Sequence, residues 1–297
     1  MVEKKNFTGR LGRGAIYVII IILALICLIP LWNILAISFS SSEAVAANKV
    51  GLLPVRFTTA AYRKIIEDVQ FWRSFGISVV RVIIGLVINM VLVVTMAYPL
   101  SKSSSEFKGR NIYMHLMIFA MLFSGGMIPV YLVVKNLHLL NTIWSLILPG
   151  AVPIFNVILV MNFFVGIPKS LEEAAVIDGA TPMQILTRVY IPCSKPSMAT
   201  VALFSIVGHW NDFYSGLIYM TKVDKYPVMT YISSMTVNLQ DMVKSGASSE
   251  SLKNAVEVSN MNLNAAKIVV AVVPLLLIYP LLQKYLISGL VVGAVKE

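Results

Sequence analysis

Six long runs of apolar residues constrain the fold of this chain more than any other feature. They cover approximately residues 15–37, 77–100, 112–134, 143–165, 197–220 and 266–288. Each run is long enough to cross a bilayer as a helix, which takes about 20 mostly apolar residues. Because the runs are continuous rather than alternating, they predict helices and not the strands of a barrel. The expected fold class is therefore all-α, a polytopic membrane protein with six transmembrane helices.

The composition favours lipid as the environment and argues against nucleic acid as a partner. Only 13% of the residues are charged, whereas soluble domains carry about a quarter. The net charge is +10, but the basic residues lie between the apolar runs rather than along one face, so no nucleic-acid partner is predicted. The two cysteines, Cys27 and Cys193, provide neither a disulfide framework nor the spacing of a metal site.

The basic residues also predict an orientation. Four of them precede the first run, and three more lie in the short connection 101–111: Lys4, Lys5, Arg10, Arg13, Lys102, Lys108 and Arg110. Short segments carry most weight in the positive-inside rule, so both are expected to be cytoplasmic. The connection 166–196 and both termini then lie in the cytoplasm as well. The first run is too long for a signal peptide and lacks a cleavage site, so it is expected to be retained.

The connection 166–196 is polar and begins with signals for a short helix. Ser170 and Glu173 have the spacing of a capping box, which predicts a helix starting at Leu171. Asp178 and Gly179 are expected to end that helix, because glycine accepts the left-handed conformation found at helix ends. A second helix is expected directly afterwards.

The signals for this second helix are Thr181 as N-cap, Pro182 at the first helical position and Gln184 three residues after the cap. The connection is thus predicted to form a helix–turn–helix. A compact polar element of this kind has no packing role between membrane spans, so we expect it to meet a partner in water.

The same residues resemble the signature of importer-type ABC permeases, in which Glu-Ala-Ala, Asp-Gly-Ala and a proline follow at fixed spacing. Here these are Glu173-Ala174-Ala175, Asp178-Gly179-Ala180 and Pro192. Over nearly its whole length the chain is similar to the smaller permease subunit of the maltose-type family, and more specifically to the branch that serves complex oligosaccharides. Further matches are Phe123–Pro129, Ile147–Gly150, Trp210–Asn211 and Gly293–Lys296.

The resemblance implies the type I ABC importer transmembrane fold, with three parts along the chain. Residues 1–70 would hold the N-terminal segment, the first span and an outer loop. Residues 71–288 would form the core, with the coupling loop at 168–196, and residues 289–297 a cytoplasmic tail. The long outer loop 221–265 matches in position a loop that enters the binding protein in the maltose system.

The resemblance also implies roles for individual residues. The contact with the ATPase would involve Glu172, Glu173, Ala174, Ala175, Asp178, Gly179, Ala180 and Pro192. A translocation path would involve His209, Trp210, Asn211 and Asp212. A tail touching the ATPase would be formed by Gly293, Ala294, Val295 and Lys296.

The chain itself carries no phosphate-binding loop and no hydrolase or metalloprotease motif, so it is predicted to be a non-catalytic subunit. No cofactor is expected on this chain, because ATP and magnesium would be bound by a partner ATPase. The other implied partners are a second, homologous permease, an extracytoplasmic sugar-binding protein and membrane lipid. The expected location is the bacterial cytoplasmic membrane.

Several alternatives remain open at this point. The chain could serve a non-sugar solute, or be an ion-coupled transporter or intramembrane enzyme that uses Arg81 or the 209–212 cluster. That cluster could instead only join helices, and Arg81 could snorkel outward. Glu173 could only cap its own helix, and Asp178 could only brace the turn.

Three further features have two interpretations each. The group Gly125, Gly126 and Pro129 would either hinge the third span or allow close packing of helices. Asn89, Asn156 and Asn162 are more readily explained as interhelical hydrogen bonding than as ligand contacts. Residues 58–75 have the periodicity of one amphipathic helix, which would lie at the membrane interface or pack over the bundle.

Overall fold

The computed structural model describes residues 7–235 and 261–294, and this part of the chain is helical without strands. In chain order the α-helices are α1 (Phe7–Ser38), α2 (Ser42–Ala46), α3 (Ala60–Glu67), α4 (Val69–Leu100), α5 (Arg110–Leu122), α6 (Met127–Asn136), α7 (Ile143–Ile147), α8 (Ile154–Val165), α9 (Lys169–Ile177), α10 (Pro182–Ile185), α11 (Ile191–Cys193), α12 (Lys195–Asn211), α13 (Tyr214–Tyr219), α14 (228–235) and α15 (Met261–Ala294). A π-helical segment, Leu186–Tyr190, joins α10 to α11, and 3₁₀ turns occupy Leu148–Gly150 and Val223–Lys225.

Three helices in the described ranges are long and apolar enough to cross a membrane singly. They are Gly14–Ser38, Val69–Leu100 and Met261–Pro280, with mean hydropathies of 3.0, 2.7 and 2.0. The apolar side chains of α1 from Ile16 to Trp32 are exposed in the isolated chain, as a lipid-facing helix requires. These helices correspond to the first, second and sixth predicted runs, although α4 begins eight residues before the predicted start at 77.

The third and fourth predicted runs are not single straight helices. The third is divided into α5 and α6, which are bent by 111°. The fourth is divided into the segment Ile143–Gly150 and α8, bent by 50°. Counting each bent pair as one span gives up to five spans in the described residues, so the predicted number of six is not matched directly.

The bend in the third run lies at the glycine pair that the sequence indicated. Gly126 has a φ of +88°, a left-handed conformation that a side chain would oppose. A Cβ built on Gly125 would approach only Pro129, at 3.9 Å, and one on Gly126 would meet nothing within 4 Å. The glycines therefore bend the backbone here and do not provide a close helix contact among the described residues.

The fifth predicted run, 197–220, is divided as well. Helix α12 has 17 residues and ends at Asn211, and α13 resumes at Tyr214. Asp212 has an extended backbone between them, with φ −73° and ψ 100°. The run was expected to continue as one helix, and the interruption was not indicated by its apolar composition.

The chain divides into two compact units, and residues 1–69 and 235–272 form the first. Within it, Lys267 is 2% exposed and pairs with Asp68 at 2.6 Å. Asn262 donates to the carbonyl of Ser40 at 3.2 Å. These contacts join the start of α15 to the segment that follows α1.

The prediction of a single amphipathic helix over 58–75 is wrong, because this segment contains two helices. Helix α3 ends at Glu67, and α4 begins at Val69 after Asp68 interrupts the helix. Ile65 is buried, whereas Ile66 and Val69 are 72% and 81% exposed. The periodicity was real, but it continued across a break between two separate helices.

Residues 70–234 and 273–297 form the second unit. Its apolar core combines the C-terminal half of α4 with α8 and the segment after α10. Fully buried members are Val93, Ala97, Val157, Val160, Phe164 and Val201. Ile185, Leu186 and Tyr190, which follow the turn of the polar connection, belong to the same core. The connection is thus fixed to the bundle mainly through its second half.

Candidate functional site: the polar insert and the membrane cavity

The polar insert, residues 168–196, begins differently from the prediction. Helix α9 starts at Lys169 with Pro168 before it, and Leu171 donates its backbone N–H to the Pro168 carbonyl at 3.2 Å. Ser170 therefore lies inside the first turn and makes no side-chain cap. The predicted capping box of Ser170 with Glu173 is wrong, because Pro168 occupies the N-cap position and the helix starts two residues before the predicted start at Leu171.

The turn of the insert follows the sequence prediction closely. Helix α9 ends at Ile177, and Gly179 has a φ of +76°. Gly179 donates to the carbonyl of Val176 at 3.0 Å, and Ala180 to that of Ala175 at 2.9 Å. This pair of hydrogen bonds is a Schellman motif, in which glycine at the left-handed position satisfies the final carbonyls of the helix.

The second helix of the insert starts as predicted. Thr181 accepts a hydrogen bond from the backbone of Gln184 at 3.4 Å, and the Gln184 side chain accepts one from Thr181 N at 2.8 Å. Pro182 occupies the first helical position. The π-helical segment that follows ends two residues before Pro192, which has no N–H to continue a regular α-helical ladder.

The residues that match the ABC permease signature differ in their exposure. Glu173, Ala174, Asp178 and Gly179 are exposed along α9 and its turn. Ala175 and Ala180 are half-buried and pack against the apolar core. Pro192 is exposed in α11. The insert therefore presents small residues and two exposed carboxylates, those of Glu173 and Asp178, beside the exposed apolar side chains of Val176 and Ile177. This surface is available to another protein.

Glu172 behaves unlike its neighbour Glu173. Its side chain is 25% exposed and forms an ion pair with Lys102, while Tyr190 donates its hydroxyl to Glu172 Oε2 at 2.6 Å. Partial burial by itself would raise the pKa of Glu172, but the hydrogen bonds from Lys102 and Tyr190 outweigh it and lower that pKa. Burial and the bond to Glu172 raise the pKa of Tyr190. Glu172 is therefore an ionised internal contact.

A second polar site lies within the spans of the second unit. It is a cavity of about 240 Å³. Its polar lining residues are Arg81, Asn89, Ser145, Asn156, Ser205, His209, Asp212 and Ser215. The interruptions of the fourth and fifth runs both lie at this cavity. Irregular backbone at membrane depth is tolerated where it is buried in protein or lines a polar cavity, and this site meets that condition.

Arg81 holds the two interrupted runs together. Its guanidinium pairs with the Asp212 carboxylate and donates to the carbonyls of Asp212 at 2.9 Å and Leu146 at 3.0 Å. Those carbonyls lie at the ends of α12 and α7, where helices leave backbone acceptors without partners. Arg81 is 2% exposed, so the interpretation that it snorkels outward is wrong. Its partner lies 131 residues away in the chain.

Asn89 forms the second polar junction of the cavity. Its Oδ1 accepts from Ser205 Oγ at 2.6 Å and lies 2.9 Å from His209 Nε2. Its Nδ2 donates to the carbonyls of Gly150 and Ala151, at 3.2 and 2.8 Å. The prediction that Asn89 joins helices is confirmed by these contacts.

The other two asparagines differ from Asn89. Asn156 lines the cavity at 5% exposure, and its side chain forms no hydrogen bond with any described residue. Asn162 is exposed on α8.

The predicted cluster 209–212 is not brought together at one place. His209 and Asp212 line the cavity, but Trp210 is buried with its ring edge-on to Phe75 at 5.4 Å, and Asn211 is exposed. The predicted tail is at the end of the described part of the chain. Gly293 and Ala294 end α15, while Val295 and Lys296 lie outside the described residues, as do residues 236–260 of the predicted outer loop.

Comparison with known proteins identifies the family. The model of the binding-protein-dependent transport system inner membrane component matches residues 96–292, two thirds of the chain including the whole insert. The chain belongs to this family. It is therefore a multi-pass permease subunit, a transport component rather than an enzyme, and the resemblance to importer-type ABC permeases is confirmed.

Individual relatives cover almost the whole chain. Protein LplC of Bacillus subtilis is 41% identical over 91% of this chain and 90% of its own length. The polygalacturonan/rhamnogalacturonan transport system permease YtcP of the same organism is 39% identical over 97% of this chain and 99% of its own. The arabinooligosaccharides transport permease AraQ of Halalkalibacterium halodurans is 27% identical over 92% and 93%.

A solved structure supports the fold directly. It is the crystal structure of a bacterial ABC transporter involved in the import of the acidic polysaccharide alginate. The matched chain has a TM-score of 0.83 and 32% identity, covering 96% of this chain and 99% of that one. The fold of this protein is therefore that of an ABC importer permease.

Proposed function

We propose that this chain imports oligosaccharides, fragments of complex glycans, as one of two non-identical permease subunits of an ABC importer. The observation that carries the substrate class is the similarity, at 39% identity over 97% of the chain, to a permease named for polygalacturonan and rhamnogalacturonan. The alginate importer permease supports the same class.

The proposed orientation places both termini and the insert in the cytoplasm. Lys102, Lys108 and Arg110 lie in the short connection between α4 and α5, and short basic connections favour the cytoplasmic side. The insert follows two apolar runs later and therefore emerges on the same side. This arrangement brings the insert to the compartment that contains ATP.

The insert would dock in the partner ATPase, which binds ATP and magnesium. Glu173, Ala174 and Gly179 would form the centre of the contact, since they are exposed and leave room for close approach. Glu172, Ala175 and Ala180 would support that surface from inside, with Asp178 and Pro192 at its ends. Closure of two ATPase domains would then move the insert and convert the bundle from inward-facing to outward-facing.

The cavity is proposed to border the translocation path. Its polar lining, with His209, Asp212 and the amide of Asn156, which bonds to no residue in the described ranges, suits the hydroxyl groups of a sugar. The binding protein would release its sugar through contact with residues 221–265, and residues 293–296 would touch the ATPases. In this scheme the N-terminal portion comprises residues 1–70, the core residues 71–288 and the tail residues 289–297.

The proposal is tested by reconstituting the complete transporter in proteoliposomes. In vesicles whose transporters have their ATPases facing the lumen, labelled oligogalacturonides are added outside together with the binding protein. They should accumulate in the lumen only when the lumen contains ATP and the binding protein is present. Uptake driven by a proton or sodium gradient without ATP would contradict the proposal. Transport of a non-sugar solute in place of both acidic and neutral oligosaccharides would contradict the substrate class alone.

A further inference from the structure

Three side chains form a closed polar cluster between α9 and the end of α4. Lys102 Nζ pairs with Glu172 and donates to the Tyr190 hydroxyl at 3.0 Å, and that hydroxyl donates to Glu172 at 2.6 Å. The ammonium also lies over two aromatic rings, 4.3 Å from the centre of Tyr98 and 4.4 Å from that of Tyr190. We call Lys102, Glu172 and Tyr190 the clamp.

The clamp joins segments that are far apart in sequence. Lys102 lies two residues after α4, Glu172 in the first turn of α9, and Tyr190 at the end of the π-helical segment. Glu172 is 70 residues from Lys102 and 18 from Tyr190. One charged cluster therefore fixes the position of α9 relative to both α4 and the second half of the insert.

The two halves of the insert are attached in different ways. In the second half, Ile185, Leu186 and Tyr190 are buried in the apolar core. Within α9 no residue of the described helix is fully buried, and Ala175 is the member packed against that core. Helix α9, which carries Glu173 and Ala174, is therefore held to the bundle chiefly by the clamp and by its turn.

We propose that the clamp transmits the movement of α9 to α4, and that Glu172 is a positioning residue rather than part of the docking surface. The inference rests on the proposed function, since it requires an ATPase that moves α9. An ion pair that also shares a phenol hydroxyl and two ring faces constrains the ammonium in several directions. Such a joint makes α9 and the end of α4 move as one body.

The inference is tested by measuring a distance across the clamp in the complete transporter. Cys27 and Cys193 are replaced by serine, and spin labels are placed at Ser170→Cys on α9 and Val91→Cys on α4, both exposed positions. The distribution of distances is recorded without nucleotide and with ATP. With the clamp intact, we expect a narrow distribution that is the same in both states.

The clamp variants are Glu172→Gln and Lys102→Met, with Lys102→Arg as the conservative rescue. Lys108→Met removes the same charge from an exposed position of the same connection and is the matched control. We expect the distribution to broaden in the first two variants and to stay narrow in the last two. ATP hydrolysis stimulated by the binding protein should fall about tenfold in the first two, within the range seen for residues that couple distant sites.

Each outcome separates the inference from the proposed function. If no ATPase co-purifies with the wild-type chain, the proposed function fails. If the ATPase co-purifies but the wild-type distance changes with ATP, or if Glu172→Gln leaves the distribution and the stimulation unchanged, the inference is overturned. Loss of the ATPase from the clamp variants alone would also overturn it, because the clamp would then serve docking and not transmission.

Discussion

Two of the ion pairs that join a basic residue of the α4 region to a carboxylate far along the chain, Arg81–Asp212 and Lys102–Glu172, have different surroundings. Arg81 is 2% exposed and pairs with Asp212 inside the cavity, where it also binds the carbonyls that end two interrupted runs. Lys102 is 12% exposed and pairs with Glu172, which is 25% exposed, at the edge of an otherwise solvent-facing helix.

The difference in surroundings determines how easily each ion pair can be broken. A charge left without its partner inside a membrane costs several kcal/mol, about 2.5 kcal/mol or more on insertion scales, so the Arg81 pair has to stay closed and fixes the shape of the cavity. The Lys102 pair lies in the connection after α4 and in the polar insert, outside the membrane spans, where water can solvate a group that loses its partner, so that pair can be disturbed at lower cost. The first pair thus suits a fixed frame, and the second suits a joint in a moving part.

The most direct way to break this comparison is a matched pair of amide substitutions. We expect Asp212→Asn to destabilise the protein by about 3–5 kcal/mol, because it leaves a buried arginine without its countercharge. Glu172→Gln should cost about 1 kcal/mol or less. Unfolding of the purified permease complex in detergent, followed with increasing denaturant, measures both values.

Glu106→Gln, at an exposed carboxylate in the connection after α4, is the control and should be neutral. Equal destabilisation by Asp212→Asn and Glu172→Gln would contradict the distinction between frame and joint.

A second substitution tests the frame without changing any charge. In the structure, a Cβ added to Gly85 would lie 2.6 Å from Cδ2 and 2.8 Å from Cε1 of His209. Gly85→Ala should therefore push the His209 ring away from Asn89 and cost about 1–3 kcal/mol, through overpacking against the ring and loss of its contact with Asn89. Gly76→Ala in the same helix has nothing within 4 Å and should be neutral or slightly stabilising. Equal stability of the two variants would show that the junction at Asn89 is not tightly packed.

The features that depend on local chemistry could be predicted from the sequence. The first, second and sixth apolar runs form helices because their length and composition suffice. The turn at Gly179 and the cap at Thr181 are also local, and both are present. Gly125, Gly126 and Pro129 also marked the site of the bend between α5 and α6, although the sequence left open whether they would bend the span or allow close helix packing.

The features that depend on distant partners could not be predicted. Nothing in the run 197–220 indicates a break at Asp212, because the break is stabilised by Arg81, 131 residues away. The same distance explains why Arg81 looked like a snorkelling residue. The adjacent residues Glu172 and Glu173 are chemically alike, and which of them faces inward depends on the helix start at Lys169, which the misplaced capping box obscured.

A third prediction changes the insert while leaving both ion pairs in place. Gly179→Val puts a β-branched residue at a φ of +76°, which costs about 1–2 kcal/mol and favours a different turn. We expect the permease pair to remain assembled but to lose most of the ATPase stimulation by the binding protein. Gly179→Asn, which tolerates the left-handed conformation better, should retain most of it. Normal stimulation in Gly179→Val would mean that the turn does not orient the docking surface.

The smallest expected effect concerns the cap of α10. Thr181→Ala removes the side-chain bond to Gln184 N, and a lost N-cap costs about 1 kcal/mol. The second half of the insert is also held by Ile185 and Leu186 in the apolar core, so we expect this loss to lower stability slightly without disturbing α9. Binding of the ATPase, measured by co-purification, should therefore stay within about twofold of wild type, because the remaining core contacts compensate locally. Thr181→Ser keeps the hydroxyl and should restore stability. If Thr181→Ala abolished ATPase binding as strongly as Gly179→Val abolishes stimulation, the two halves of the insert would be one cooperative element, and the clamp could not be the principal attachment of α9.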